Sequence, residues 1–489
     1  MIVAVALALH VVESRWFACP SYSTSRLRIW HYSIIHPMNQ LRLKVNNKKG
    51  PPDFAGLQLV QELNDCRGAV WCMKWSPDGQ LLAVAGQDQL LRVYCCCKAW
   101  KYFTQLRNKA SGQQISPSST RERSSLSGTG AGGSRSGSIS STDLEHSPNN
   151  SSKYGEDNSL SEEGPLLLFA AYRGHTADVL DISWSKNHFL LSSSMDKTVR
   201  LWHVTRVECL CTLRHTDFVT TISFHPKDDR YFLSGSLDGK LRLWNIPDKR
   251  VTLWNEVSGV VTKGTKSSDT SGTGKSSHGL ITASAFVQNG KFAVIGTYDG
   301  RVIFYNTDQL KYFTQLHVRS SSGISQVTSR ADSARSGRNR KSNKVTGIES
   351  VFDNKILVTT NDSRIRLYDL RDLSLACKYK GYVNESSQIR ASVSHDHKYI
   401  LCGSENASFY IWRLQQNSNT RKDRNNAWES VRILNSSVGT QVQAPVNPTP
   451  APSIITAATF APAPKTLCPN AEYVIIAADF QGVLRLFAK

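Results

Sequence analysis

Two sets of histidine, serine, aspartate and tryptophan recur along the chain at matching intervals. One is His175, Ser192, Asp196 and Trp202; the other is His215, Ser234, Asp238 and Trp244. Serine, histidine and aspartate are the groups of nucleophilic catalysis, in which the histidine takes the hydroxyl proton and the acid orients the ring. A catalytic site needs one special copy in a cleft, with an oxyanion pocket beside it. Here the set occurs twice in equivalent places, and no GxSxG elbow accompanies either serine. Duplication argues for a repeated structural role, so the chain is not expected to be an enzyme.

Two phosphate-site mimics also fail. Gly128, Gly130 and Gly133 spell GxGxxG, but inside a Ser/Gly tract with no strand before it and no helix after. Gly274-Lys275-Ser276 looks like the end of a phosphate loop, yet Asp269 stands where its first glycine belongs. No cofactor is expected. The 11 cysteines contain no CxxC pair, so no metal site is expected either. An odd count without a framework fits a reducing compartment. The contiguous Cys95, Cys96 and Cys97 read as a strand end rather than an acylation site.

The formal net charge is +20. Part of it gathers at Arg335, Arg338, Arg340, Lys341 and Lys344, a basic cluster in one loop that could contact an anionic membrane. No aromatic residue lies between 320 and 344, which argues against single-stranded nucleic acid held by stacking. A solvated flexible loop is the plainer reading.

The elements that must position these residues are set by a nine-residue phrase that occurs seven times. It reads SMDKTVRLW at 194–202 and SLDGKLRLW at 236–244, with looser copies at 86–94, 297–305, 360–368, 404–412 and 479–487. Slot three is Asp in the first five and then Asn406 and Gln481. Slots six and eight are always apolar and slot nine is always aromatic. An acid in a tight turn followed by period-two alternation is a β-strand entered from a hairpin. The third slots of neighbouring phrases lie 42 residues apart between Asp196 and Asp238, and 44 between Asp362 and Asn406. These gaps match the ~40–45 residues of one four-stranded propeller blade, and longer gaps are a blade plus an insert. The arginines of slot seven (Arg92, Arg200, Arg242, Arg366, Arg485) are expected to lay their stems between blades.

Residues 57–489 are therefore assigned to one propeller, with inserts at 107–164, 258–278, 319–344 and 436–453. Residues 1–56 are expected to be an unstructured tail, with a start near Met38 as the alternative. The apolar run 1–12 is too short to span a bilayer, which takes ~20 residues. The strand-like LQLVQEL at 57–63 lacks a local partner, and the last phrase leaves its sheet one strand short. The first is predicted to complete the second and so close the ring. For the outer strand of blade one, PLLLFAAY (165–172) is preferred over KYFTQL (101–106), although KYFTQL recurs identically at 311–316 in an outer-strand position.

The aromatic ninth slot, together with Gly174-His175 placed 21 residues before Asp196, resembles the WD40 family. Arg214 replaces the family's glycine before His215, and Cys66 replaces its histidine in blade one. The resemblance implies an all-β, seven-bladed β-propeller. It also implies that each His/Ser/Asp/Trp set is a buried hydrogen-bond chain, each bond contributing about 1 kcal/mol. Tyr368, Asp369 and Arg371 resemble a box by which some WD40 proteins dock to a ubiquitin-ligase adaptor, so a substrate receptor of a cullin ubiquitin ligase is the alternative function.

Longer stretches at 174–204, 228–249, 290–312 and 355–375 are similar to the Rab-binding WD-repeat proteins of recycling endosomes, of the rabphilin-eleven type. That resemblance implies a non-catalytic protein-interaction scaffold in Rab-linked endosomal traffic, with a Rab-family small GTPase as partner. It implies a cytoplasmic protein, peripheral on endosomal or Golgi-derived membranes. Much of the Rab contact in that family is assigned to a long N-terminal part, so no Rab-contact residue is carried over.

Overall fold

The seven phrases fold alike. Slots one to four make a tight turn, and in blades one to four and seven the fourth N–H bonds back to the first carbonyl, as from Lys197 to Ser194, Gly239 to Ser236 and Gly482 to Asp479. The fourth slot (Gln89, Lys197, Gly239, Gly300, Ser363, Ala407, Gly482) takes a positive φ between 57° and 94° in all seven. Gly482 needs its lack of a side chain twice over, because a Cβ there would meet the Cys66 carbonyl oxygen at 2.5 Å. In blades one to three the slot-three carboxylate accepts the fifth-slot N–H, at 2.9 Å for both Asp196 and Asp238, whereas in blade four the Arg301 N–H donates to Thr297 Oγ1 at 3.0 Å. In the last phrase Gln481 fills slot three, and Asp479 in slot one accepts from the fifth-slot N–H of Val483 at 3.0 Å instead.

The computed structural model describes residues 41–46, 51–111, 164–258, 279–318, 343–352, 354–414, 427–433 and 453–489. Strands β1 (Leu41–Asn46) and β2 (Gln58–Leu63) precede the first blade. Blade one is β3 (Val70–Trp75), β4 (Leu81–Gly86), β5 (Leu91–Cys96) and β6 (Leu166–Tyr172), with helix α1 (Trp100–Ala110) between the last two. Blade two is β7 (Val179–Trp184), β8 (Phe189–Ser194), β9 (Thr198–His203) and β10 (Cys211–Arg214). Blade three is β11 (Val219–Phe224), β12 (Tyr231–Ser236), β13 (Lys240–Asn245) and β14 (Arg250–Glu256). Blade four is β15 (Ile281–Val287), β16 (Phe292–Thr297), β17 (Arg301–Asn306) and β18 (Lys311–His317). Blade five is β19 (Val345–Val351), β20 (Lys355–Thr360), β21 (Arg364–Asp369) and β22 (Leu375–Tyr379). Blade six holds β23 (Ala391–Val393), β24 (Tyr399–Cys402), β25 (Ser408–Arg413) and β26 (Trp428–Ile433). Blade seven holds β27 (Ile455–Phe460), β28 (Val474–Asp479) and β29 (Leu484–Ala488), with a short helix α2 (Pro464–Leu467) after β27. Strand pairing is antiparallel throughout each blade, as in the central pair of blade three and its counterparts.

The ring closes as the sequence requires. β2 pairs with β29, Leu59 opposite Phe487 and Leu63 opposite Leu484. Gln61 of β2 then seals the seam to blade one, accepting from the Leu166 N–H at 3.1 Å and donating to its carbonyl at 2.9 Å. Inner strands are stitched together around the ring: Ser183 Oγ accepts from Phe224 N–H, Thr282 Oγ1 donates to the Val345 carbonyl, and Ser392 Oγ donates to that of Ala458. The core lies between blades, where apolar slots six and eight of one sheet meet the next sheet.

One expectation needs correction. Residues 41–46 do not belong to an unstructured tail: β1 pairs with β26 over six residue pairs and gives blade six a fifth strand. Leu41, Leu43 and Val45 are half-buried and Arg42, Lys44 and Asn46 exposed, a period-two pattern too short to stand out in its surroundings. The duplicated hexapeptide resolves as the sequence preferred. β6 takes the outer edge of blade one as expected, and KYFTQL at 101–106 lies within α1 while the same letters at 311–316 lie within β18. With the β5 edge occupied, the first copy coils and buries Phe103 against Phe169 and His188. The second copy meets the open edge of β17 and pairs with it. Tertiary context outweighs identical local propensity.

Candidate functional site

In blade two the four expected residues form one chain. Trp202 Nε1 donates to Ser192 Oγ at 2.9 Å, Ser192 Oγ lies 2.7 Å from His175 Nε2, and His175 Nδ1 lies 2.7 Å from Asp196. The donor order is that of a catalytic triad, but the chemistry is closed off. Ser192 is 0% exposed, and its oxygen already accepts from the indole. No carbonyl carbon can reach it. Burial acts to raise the Asp196 carboxyl, yet hydrogen bonds from His175 and Thr198 outweigh it and hold the group well below the usual carboxylate range.

Blade three departs from the expectation. His215 Nε2 still reaches Ser234 Oγ at 2.8 Å, and Trp244 Nε1 donates to the same oxygen at 3.0 Å. His215 Nδ1, however, donates to the Leu213 carbonyl at 3.3 Å, and Asp238 pairs with Arg242 at 2.6 Å and accepts from Thr216 Oγ1. The residue before each histidine explains the difference. A Cβ on Gly174 would sit 2.9 Å from Arg200 Nη1, so glycine leaves the guanidinium room beside the chain start. Arg214 carries a Cβ at the matching place, and Arg242 turns onto Asp238 instead. Burial, followed by the Arg242 charge, pushes His215 down to about 4 and keeps it neutral.

Other blades use the same acid–arginine pair, so the slot-seven arginines do more than lay apolar stems between sheets. Arg92 meets Asp88 at 2.6 Å and Arg366 meets Asp362 at 2.5 Å. In blade four the arginine moves to slot five, where Arg301 meets Asp299 at 2.8 Å. In blade seven Arg485 bridges Asp479 at 2.9 Å and Glu62 of β2 at 2.8 Å, joining the closing strand to the pair. Blade six keeps a neutral version, Asn406 Nδ2 donating to Tyr410 Oη at 2.7 Å. This pairing was missed in the sequence, although Asp and Arg four apart in one phrase were its signal.

The ring's centre holds a cavity of about 470 Å³ bordered by Trp71, Lys74, Asp181, Glu349 and Arg390. Arg390, at the start of blade six, reaches to blade two and donates to Asp181 at 2.6 Å. Asp181 also accepts the N–H of Ile182 and of Ile222, both at 3.0 Å. Two positions before, Gln388 Nε2 donates to the carbonyls of Thr282 and Thr346, at 3.0 Å each. No motif surrounds Arg390, and nothing in the sequence marked it.

The surface candidates divide. Tyr368 is buried at the end of β21, whereas the Arg371 side chain is 73% exposed and paired with Asp369 at 2.7 Å. Arg371 stands beside a groove of about 450 Å³ between blades four and five, floored by Phe292, Phe313, Leu370 and Leu373. Arg335, Arg338, Arg340 and Lys341 lie outside the described residues, as do Gly128, Gly130, Gly133 and the Gly274-Lys275-Ser276 run. Lys344 does not belong to a solvated basic loop: it is 2% exposed at the edge of β19, and burial pushes its amine down to about 8. Cys95 and Cys96 are fully buried at the end of β5, as a strand end requires.

Comparison with known proteins agrees with this geometry. The model of the WD domain, G-beta repeat, matches residues 57–95, 167–203 and 207–245. The chain is 51% identical over 404 residues to WD repeat-containing protein 44 of Xenopus laevis, a match covering 81% of this chain and 40% of that protein. It is 30% identical to an uncharacterized WD repeat-containing protein of Schizosaccharomyces pombe (78% of this chain, 57% of that one) and 29% identical to 2-deoxy-glucose resistant protein 2 of Saccharomyces cerevisiae (76% and 41%). The chain thus spans 40–57% of the length of these relatives. The β-propeller domain of Cps50 (Swd1) from Myceliophteria thermophila shares the fold at a TM-score of 0.53 and 13% identity, covering 88% of this chain and 99% of that one. With seven blades built on one turn grammar and three repeats matched directly, the chain belongs to the WD40 repeat family.

Proposed function

We propose that this protein is an interaction scaffold that serves as an adaptor in Rab-linked endosomal membrane traffic. The observation that carries this reading is the likeness to the Rab-binding WD-repeat proteins over stretches such as 290–312, which includes turn and edge residues that blade geometry does not dictate. A surface held in common suits a common class of partner. The sealed Ser192 chain supports a role in holding partners rather than transforming them. No helix among the described residues is long and apolar enough to cross a membrane, so the proposed membrane association is peripheral. Proximity labelling in cells tests the reading. The chain should label Rab-family GTPases and endosomal membrane proteins above the level reached by an unrelated seven-bladed propeller. Labelling no richer in them than that control rejects it.

A further inference from the structure

Residues 41–46 and 53–54 engage blade six as a bound peptide engages a receptor. β1 adds to the β26 edge, Leu43 opposite Val431 and Val45 opposite Glu429, with Leu41 and Leu43 resting on the core shared by blades six and seven. Seven positions beyond Asn46, Asp53 and Phe54 engage a second set of groups. The buried Glu429 carboxylate accepts the backbone N–H of Asp53 at 2.7 Å and of Phe54 at 2.9 Å. Arg413 pairs with the Asp53 carboxylate. The Phe54 ring, 1% exposed, enters a socket whose walls are Tyr399 at 5.0 Å, Tyr473 at 5.6 Å and Phe460 at 6.4 Å between ring centroids. Lys489 Nζ lies 5.4 Å from its centroid.

We propose that the β26 edge and the Phe54 socket form a docking site for an extended peptide of a partner protein, filled here by the chain's own residues 41–46 and 53–54. The ligand's chemistry is written in that occupant: apolar side chains at alternate positions, then an acidic–aromatic pair about eight residues on. Edge addition supplies backbone hydrogen bonds, and the socket supplies selectivity. The two bonds from Asp53 and Phe54 to Glu429 come from backbone N–H groups, which any residue but proline offers. Two observations mark β1 as the detachable strand. Among the described residues it is a fifth strand where each of the other six sheets has four. Its side chains are half-buried or exposed along its whole length, whereas β2, which closes the ring, buries Gln61 and Leu63. This inference stands apart from the Rab-linked reading.

The probe is a fluorescent synthetic peptide of residues 41–57, titrated by anisotropy into the full chain. Phe54→Ala weakens the internal occupant, so this variant should bind the peptide at least tenfold more tightly than the unaltered chain. Adding Glu429→Gln should reverse that gain, and a peptide carrying Phe54→Ala should bind at least tenfold more weakly. A folded Phe54→Ala chain with no gain overturns the proposal. Should that variant fail to fold, hydrogen exchange on the unaltered chain decides. Amides of β1 exchanging at least a hundredfold faster than those of β2 support a detachable strand, and equal protection overturns it. A dimeric unaltered chain in sedimentation would assign the site to a second copy and overturn the partner reading.

Discussion

His215 is a neutral imidazole kept neutral by its surroundings, and that has a pH signature. Its ordinary value of 6.5 falls to about 4 in the fold, because burial and then Arg242 disfavour the imidazolium. Between those values the unfolded chain binds the proton more readily than the folded one, so acidification favours unfolding. The contribution of His215 is fully present above about pH 6.5 and declines as pH drops towards 4, by about 3 kcal/mol at most. Denaturant melts of the parent and of His215→Gln across pH 4–7.5 check this: the parent should lose more stability over that window than the variant. Parallel curves would contradict it. At this scale the tetrad residues were legible, since their types and spacing stand in the sequence. The break in blade three was not, because it depends on the space beside Gly174 and Arg214, which only the folded arrangement shows.

Elements were legible where period and turn chemistry agreed. The seven phrases gave the third strand of each blade, and the lone alternation at 57–63 gave the closing strand, since an unpaired apolar face has to find a partner. β1 escaped notice because three apolar residues at alternate positions are weak beside long polar stretches. KYFTQL could not have been resolved from its own letters, being helix at one site and strand at the other. The two copies allow a controlled comparison. Phe103 is 1% exposed and Phe313 is 60% exposed. Phe103→Ala should cost about 3–5 kcal/mol, as core phenylalanines do, and Phe313→Ala less than about 1 kcal/mol, as surface changes do. Thermal or urea unfolding of both variants measures the contrast; equal losses would show that α1 does not pack as described.

At the scale of the molecule, blade number and closure followed from counting repeats, whereas contacts across the ring did not. Arg390 and Asp181 stand 209 residues apart and meet only because the ring is complete. Arg390→Met leaves the Asp181 carboxylate with its two backbone donors and no cation, a change expected to cost about 3 kcal/mol. Adding Asp181→Asn removes the stranded charge and should restore part of that loss, giving a coupling of about 1 kcal/mol or more in a double-mutant cycle. Strict additivity of the two changes would contradict the pairing. The pair has a consequence for access as well. A side chain laid from blade six to blade two sets an already neutralised charge pair on the wall of the central cavity, so a guest entering there meets a salt bridge rather than an open cation.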